Sequence, residues 1–171
     1  HVRQNEKQVK TGSEALTEAV VLSYHKLLAY KDEYEVARLF TNGKFMKDLK
    51  STFTGKYKVK FHMAPPIMEK EDPATGRPKK REFGPWMLRA LGILAKFKFL
   101  RGTVLDPFGY HSDRVEERAL IKEYEELVEL VTSNLDSGNL TLGVEILSLP
   151  LDIKGFGPVK AQNIQVYKEK K

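Results

Sequence analysis

The sequence predicts a mainly α fold, a single-domain helical bundle of about six to seven helices carrying one small antiparallel β-hairpin. Three observations predict it. Apolar residues recur at intervals of three and four in segment after segment. One stretch, from Lys56 to Met63, alternates instead with a period of two. Short runs of Gly, Pro, Asn and Asp separate the segments, so the connections are brief.

Between Glu14 and Ala29, residues Leu16, Val20, Tyr24, Leu27 and Leu28 fall on one stripe of a helix, with Ser13 placed to cap it. Asp32 to Phe40 repeats the pattern with Tyr34, Val36, Leu39 and Phe40. Asn42-Gly43 interrupts it before a third short helix ending near Phe53. From Lys56 onward Tyr57, Val59, Phe61 and Met63 alternate with Lys58, Lys60 and His62, which describes a strand with one core face and one basic face. Pro65-Pro66 ends it, Asp72-Pro73-Ala74-Thr75-Gly76 supplies a turn, and Lys79 to Phe83 is placed to return as the partner strand.

Gly84-Pro85 opens the next helix. Its apolar residues, among them Trp86, Met87, Leu91, Ile93, Phe97 and Phe99, cover most of the circumference and predict a central buried element. Gly102 closes it, and Asp106-Pro107-Phe108-Gly109-Tyr110 lies in the loop that follows. Ser112 is placed to cap a long helix with Val115, Leu120, Tyr124, Leu127, Val128 and Val131 inward. Leu140 to Leu149 reads as a short buried helix stopped by Pro150, and Pro158 to Tyr167 as the last helix, entered through Gly157-Pro158. Residues 1–12 are polar and read as a disordered or tag-derived leader, leaving 13–171 as one helical domain.

Composition limits the chemistry. The chain has 171 residues, enough for one core, with 41% hydrophobic and 30% charged side chains. It has no cysteine, which excludes disulfides, thiolate-held zinc, iron–sulfur ligation and a cysteine nucleophile within it. The absence of a long apolar run or a signal-peptide core gives no reason to expect a membrane partner and points to a cytoplasmic location. The net charge of +6 is uneven: Lys44 to Lys60 carries six lysines against Asp48, whereas Asp113 to Asp136 is rich in carboxylates.

No nucleophile elbow, phosphate loop or dinucleotide fingerprint is present, and His1, His25, His62 and His111 lack metal-ligand spacing, so no catalytic, cofactor-binding or metal residue is assigned. The carboxylates after Asp113 read as a solvated face with local pairs such as Lys122 with Glu126. Two readings stand side by side for Leu149 to Ala161. As a helix-hairpin-helix-like turn, Gly155, Gly157 and Lys160 would bring backbone amides and an ammonium to a nucleic-acid phosphate. As a packing turn, the same glycines join two helices and Phe156 anchors them in the core. The basic strand face is more simply an edge kept soluble by lysines, since no stacking aromatic is interleaved there, and nucleic acid is not the expected partner. Rigid and aromatic residues in loop segments, Pro65, Pro66, Trp86, Asp106, Phe108 and Tyr110, instead suggest contact with another protein domain.

Six blocks taken in order resemble a known family: Leu27 to Leu39, Phe61-His62-Met63-Ala64-Pro65-Pro66, Arg81 to Met87, Leu100-Arg101-Gly102-Thr103, Asp106 to Tyr110 and Ile153 to Gly157. They resemble the C-terminal accessory segment of the single-chain indolepyruvate ferredoxin oxidoreductases, within the 2-oxoacid:ferredoxin oxidoreductase superfamily. The resemblance implies a parent enzyme that oxidatively decarboxylates aryl pyruvates to acyl-coenzyme A with thiamine diphosphate and magnesium, with any iron–sulfur clusters elsewhere in it. The family's thiamine-diphosphate motif, Gly-Asp-Gly with a later asparagine, does not occur here, so no catalytic residue carries over. Pro158 stands where that family often has histidine, which suits a helix start. The implied partners are the parent's catalytic domains and the second protomer of a homodimer.

Overall fold

In a computed structural model, which describes residues 1–64 and 79–171, the chain is mainly α with one two-stranded antiparallel sheet. The helices are α1 (Val2–Val9), α2 (Ala15–Leu28), α3 (Glu33–Thr41), α4 (Lys44–Thr52), α5 (Met87–Lys96), α6 (Ser112–Ser133), α7 (Leu140–Ser148) and α8 (Pro158–Lys170). The strands are β1 (Phe61–Met63) and β2 (Arg81–Phe83), and 3-10 turns follow α5 and α7 at Phe97–Leu100 and Leu149–Asp152. The expected hairpin turn around Asp72 to Gly76 lies outside the described residues, as do Pro65 and Pro66. Within the chain two compact units can be distinguished, residues 1–30 with 115–171 and residues 31–114.

The first unit is built on α2, α6, α7 and α8, whose Leu16, Leu27, Leu120, Tyr124, Leu127, Leu140, Leu147, Ile164 and Tyr167 form one core with Ile153 from the loop before α8. Gly143 lets α7 approach closely, because a Cβ there would sit 3.1 Å from the Val131 side chain and 3.4 Å from Leu16. Tyr124 is fully buried and donates to the Leu147 carbonyl at 2.8 Å, and burial pushes its phenol up to about 12. Val115, expected inside, is half exposed.

The leader expectation is corrected here. Residues 2–9 are helical, and Glu6 at 0% exposure is among the most buried side chains in the chain. Its carboxylate accepts from the Leu16 amide (2.9 Å), the Thr17 amide (2.9 Å), the Thr17 hydroxyl (2.7 Å) and the Ser13 hydroxyl (2.8 Å). Burial pushes this carboxyl up, but the hydrogen bonds prevail and hold it below its ordinary value. Glu6 thus supplies, from another helix, the acceptor that α2 lacks locally; Ser13 serves Glu6 and does not cap α2 itself. A polar sequence without apolar period hides such a segment, because one satisfied carboxylate anchors it.

The second unit packs α3 and α5 on the hairpin, with Ala37, Phe61, Met87 and Leu91 at its centre. Phe40, Phe45 and Phe61 meet with ring centroids 5.0–6.4 Å apart. Phe61 pairs with Phe83, His62 with Glu82 and Met63 with Arg81. The strand is shorter than the Lys56 to Met63 alternation predicted: the pattern holds at Phe61, buried, and His62, exposed, whereas Tyr57, expected inward, lies before the strand and is exposed. Lys60 on the outer face pairs with Glu82 at 2.8 Å.

Candidate docking surface

Four consecutive residues at the start of α3 fasten the segment after α5. Asp32 caps α3 by accepting from the Glu35 amide at 2.7 Å, and its other oxygen faces Arg101. Glu33 lies 3.6 Å from Arg114, Tyr34 donates to Asp106 at 3.0 Å, and Glu35 lies 3.6 Å from Lys98. Acidic residues are favoured at a helix N-terminus, so this turn of α3 gathers the cations of residues 98–114 around it. The Arg38 guanidinium, hydrogen-bonded to Glu35, holds that carboxyl down at about 2. Burial pushes the Glu33 carboxyl up, against the attraction of Arg114.

Asp106 organises the loop. It is 3% exposed and accepts from the Gly102 amide (2.9 Å), the Phe108 amide (3.1 Å) and the Tyr34 hydroxyl (3.0 Å). Burial pushes its carboxyl up, yet these donors outweigh it and hold the group below its ordinary value. Burial, with the Asp106 hydrogen bond next, pushes the Tyr34 phenol up to about 12. Phe108 is half-buried, edge-on to Tyr34 with centroids 5.4 Å apart. Asp106 and Phe108, read from the sequence as contact residues, therefore face inward and shape the loop. The Asp-Pro-Phe-Gly pattern reveals a turn, but not that Tyr34 lies opposite to draw the carboxylate in.

Trp86 and Tyr110 do lie at the surface, at 60% and 71% exposure. They have company: Ile93, Phe97 and Phe99, which the sequence reading placed in a buried helix, are exposed, as are Val104 and Leu105 in the loop that follows. The helix expected to be buried all round has Met87 and Leu91 in the core and a second apolar row outside it. Trp86 stacks edge-on with Phe83 at 5.9 Å, Phe97 lies 6.0 Å from Phe99, and the Tyr110 hydroxyl donates to the Val104 carbonyl at 2.8 Å. These apolar groups are thus presented on a fixed frame.

The glycine turn lies in the other unit. Gly155 and Gly157 both have positive φ, 91° and 55°, and a Cβ on Gly155 would meet Val159 at 2.7 Å. Lys160 is turned away from solvent to pair with Glu117, while Phe156, expected as a core anchor, is 73% exposed. Lys26, Glu117 and Lys160 line a small pocket with Leu27, Leu120, Pro150 and Ile153, and Lys26 donates to the Leu151 carbonyl. The turn brings Gly155, Gly157 and Lys160 together, with the lysine's charge committed to a carboxylate.

Among the described residues no group of three or more His, Asp or Glu is arranged to hold a metal ion, and no helix is long and apolar enough to cross a membrane. Fold and surface define a mainly α protein with a preorganised apolar face. The chain belongs to DUF6537, a family of unknown function, whose profile matches residues 1–171. No curated protein and no solved structure matches it.

Proposed function

We propose that this chain is a C-terminal accessory domain of a fused indolepyruvate ferredoxin oxidoreductase, and that it docks on the catalytic domains without reacting itself. The observation that carries the docking is α5 and its flanks, where Met87 and Leu91 lie in the core while Trp86, Ile93 and Phe97 remain outside it. An exposed row of large apolar side chains is stabilised when it is covered, and a protein partner supplies that cover. The parent enzyme is suggested by the six sequence blocks described above. Parts of three of them, Asp32 to Glu35, Leu100 to Thr103 and Asp106 to Tyr110, meet around the start of α3, which is consistent with one inherited structural unit.

On this reading the module positions the catalytic domains or closes the dimer, and thiamine diphosphate, magnesium and any iron–sulfur cluster belong to the rest of the enzyme. Deleting residues 14–167 from a fused enzyme of this kind is expected to change its oligomeric state, its stability or its turnover. Unchanged values for all three overturn the proposal.

A further inference from the structure

Resting on the docking reading above, we infer that the partner seated on the outer face of α5 is an amphipathic helix whose apolar stripe is edged by carboxylates. Trp86, Ile93 and Phe97 are spaced by seven and four residues, so at 3.6 residues per turn they form one straight row along the helix. The row is narrow, because the wider apolar face, with Met87, Leu88, Leu91 and Leu94, is already packed on the hairpin and α3. A narrow row at this spacing is the seam one helix offers another, whereas binding in a bilayer interface needs a broad apolar face.

The charges specify the partner's sign. Arg89 and Lys96, also seven residues apart, flank the row on the same side and are exposed. Among the described residues neither is in an ion pair. Lys98 and Arg101, by contrast, are engaged by Glu35 and Asp32. From Gly84 to Pro107 the sequence contains a single carboxylate, Asp106, which is buried and hydrogen-bonded. Along α5 itself the charged residues that edge the row are therefore all basic, and they select an acidic edge while disfavouring a basic one.

Trp86 is the only tryptophan in the chain and stands in the row, so its emission reports occupancy directly. The probes are two synthetic helical peptides with the same leucine stripe, one edged with glutamate and one with lysine, and vesicles of phosphatidylserine and phosphatidylcholine. The glutamate peptide is expected to shift Trp86 emission to the blue, to bind about five- to tenfold more tightly than the lysine peptide, and to lose that advantage as salt rises. The double variant Arg89→Glu with Lys96→Glu should reverse the preference, and Ile93→Asp should abolish the shift.

Equal binding of the two peptides, binding of neither, or a shift with vesicles alone overturns the inference. The same variants in the fused enzyme separate it from the docking proposal. If Ile93→Asp alters assembly or turnover and the charge reversal does not, docking through this face stands and the acidic partner falls. If Ile93→Asp alters neither, docking through this face falls too.

Discussion

Replacing Asp106 tests whether the loop is held from within, and its cost follows from the geometry. The carboxylate receives donors from Tyr34, Gly102 and Phe108 at 2.9–3.1 Å, and the Gly109 amide also helps hold it ionised. A hydrogen bond to a charged group stabilises by about 1.5–3 kcal/mol net, and an orphaned buried polar group costs about 1–3 kcal/mol. In Asp106→Ala the Gly102 amide, whose residue is exposed, regains water, and the half-buried Phe108 amide does so in part. The Tyr34 hydroxyl cannot, since Tyr34 is 1% exposed. We expect a loss of about 3–4 kcal/mol for alanine, about 2 kcal/mol for asparagine, which keeps one acceptor, and about 1 kcal/mol for Tyr34→Phe.

Urea titration followed by circular dichroism measures these losses. For a unit of this size the slope is about 1 kcal/mol/M, so the alanine variant should unfold about 3 M earlier in the transition assigned to residues 31–114. Asp106 also fixes a pH dependence. Its folded carboxyl lies below the ordinary value, so below about pH 5 the unfolded chain binds more protons than the folded one. The stability it contributes is complete above its unfolded pKa and disappears as pH falls through the folded one. Asp106→Asn should flatten that acid limb. A midpoint for Asp106→Ala within about 0.3 M of the parent, or an unchanged acid limb for the asparagine variant, would refute the argument.

Two further predictions address the other unit. Glu6→Ala removes an acceptor shared by four donors and leaves the first amides of α2 unpaired, so it should destabilise the first unit by about 3–5 kcal/mol. A loss under about 1 kcal/mol would mean that α1 adds little to the fold. Gly155→Ala places a methyl group 2.7 Å from Val159 at a φ of 91°, and should cost about 2 kcal/mol or more in thermal or urea unfolding. A neutral substitution would show that the turn before α8 relaxes freely.

Elements with a repeating period were legible in the sequence, because burial of one face imposes the period. α2, α3, α4, α7 and α8 start and stop within a few residues of the expected places, and Phe61 faces inward as its alternation required. What was not legible depends on single long-range contacts. Glu6 looks like any surface acid until Leu16 and Thr17 present their amides to it. Asp106 looks like an exposed turn residue until Tyr34, 72 residues away in sequence, faces it. The two units were not legible either, since no Gly- or Pro-rich linker marks residue 115, which lies inside α6.

The α5 discrepancy differs in kind from these. There the sequence carries apolar side chains on more than one side of the helix, and among the described residues only the side with Met87 and Leu91 is covered. For Glu6 and Asp106 the residue type left the environment open, and the environment was then found within the chain. For α5 the residue types of the outer row favour an environment that the described residues do not provide. Trp86, Ile93 and Phe97, each about half exposed, forgo on the order of 1 kcal/mol of burial apiece, about 3 kcal/mol for the row. The physical reason to keep such a row, on a helix whose following loop is fastened to α3 by Asp32, Glu33, Tyr34 and Glu35, is a partner that covers it. The fastening matters to that partner, because a preorganised face loses little conformational freedom on binding. Loosening Asp106 should therefore weaken docking even though Asp106 itself is out of the partner's reach.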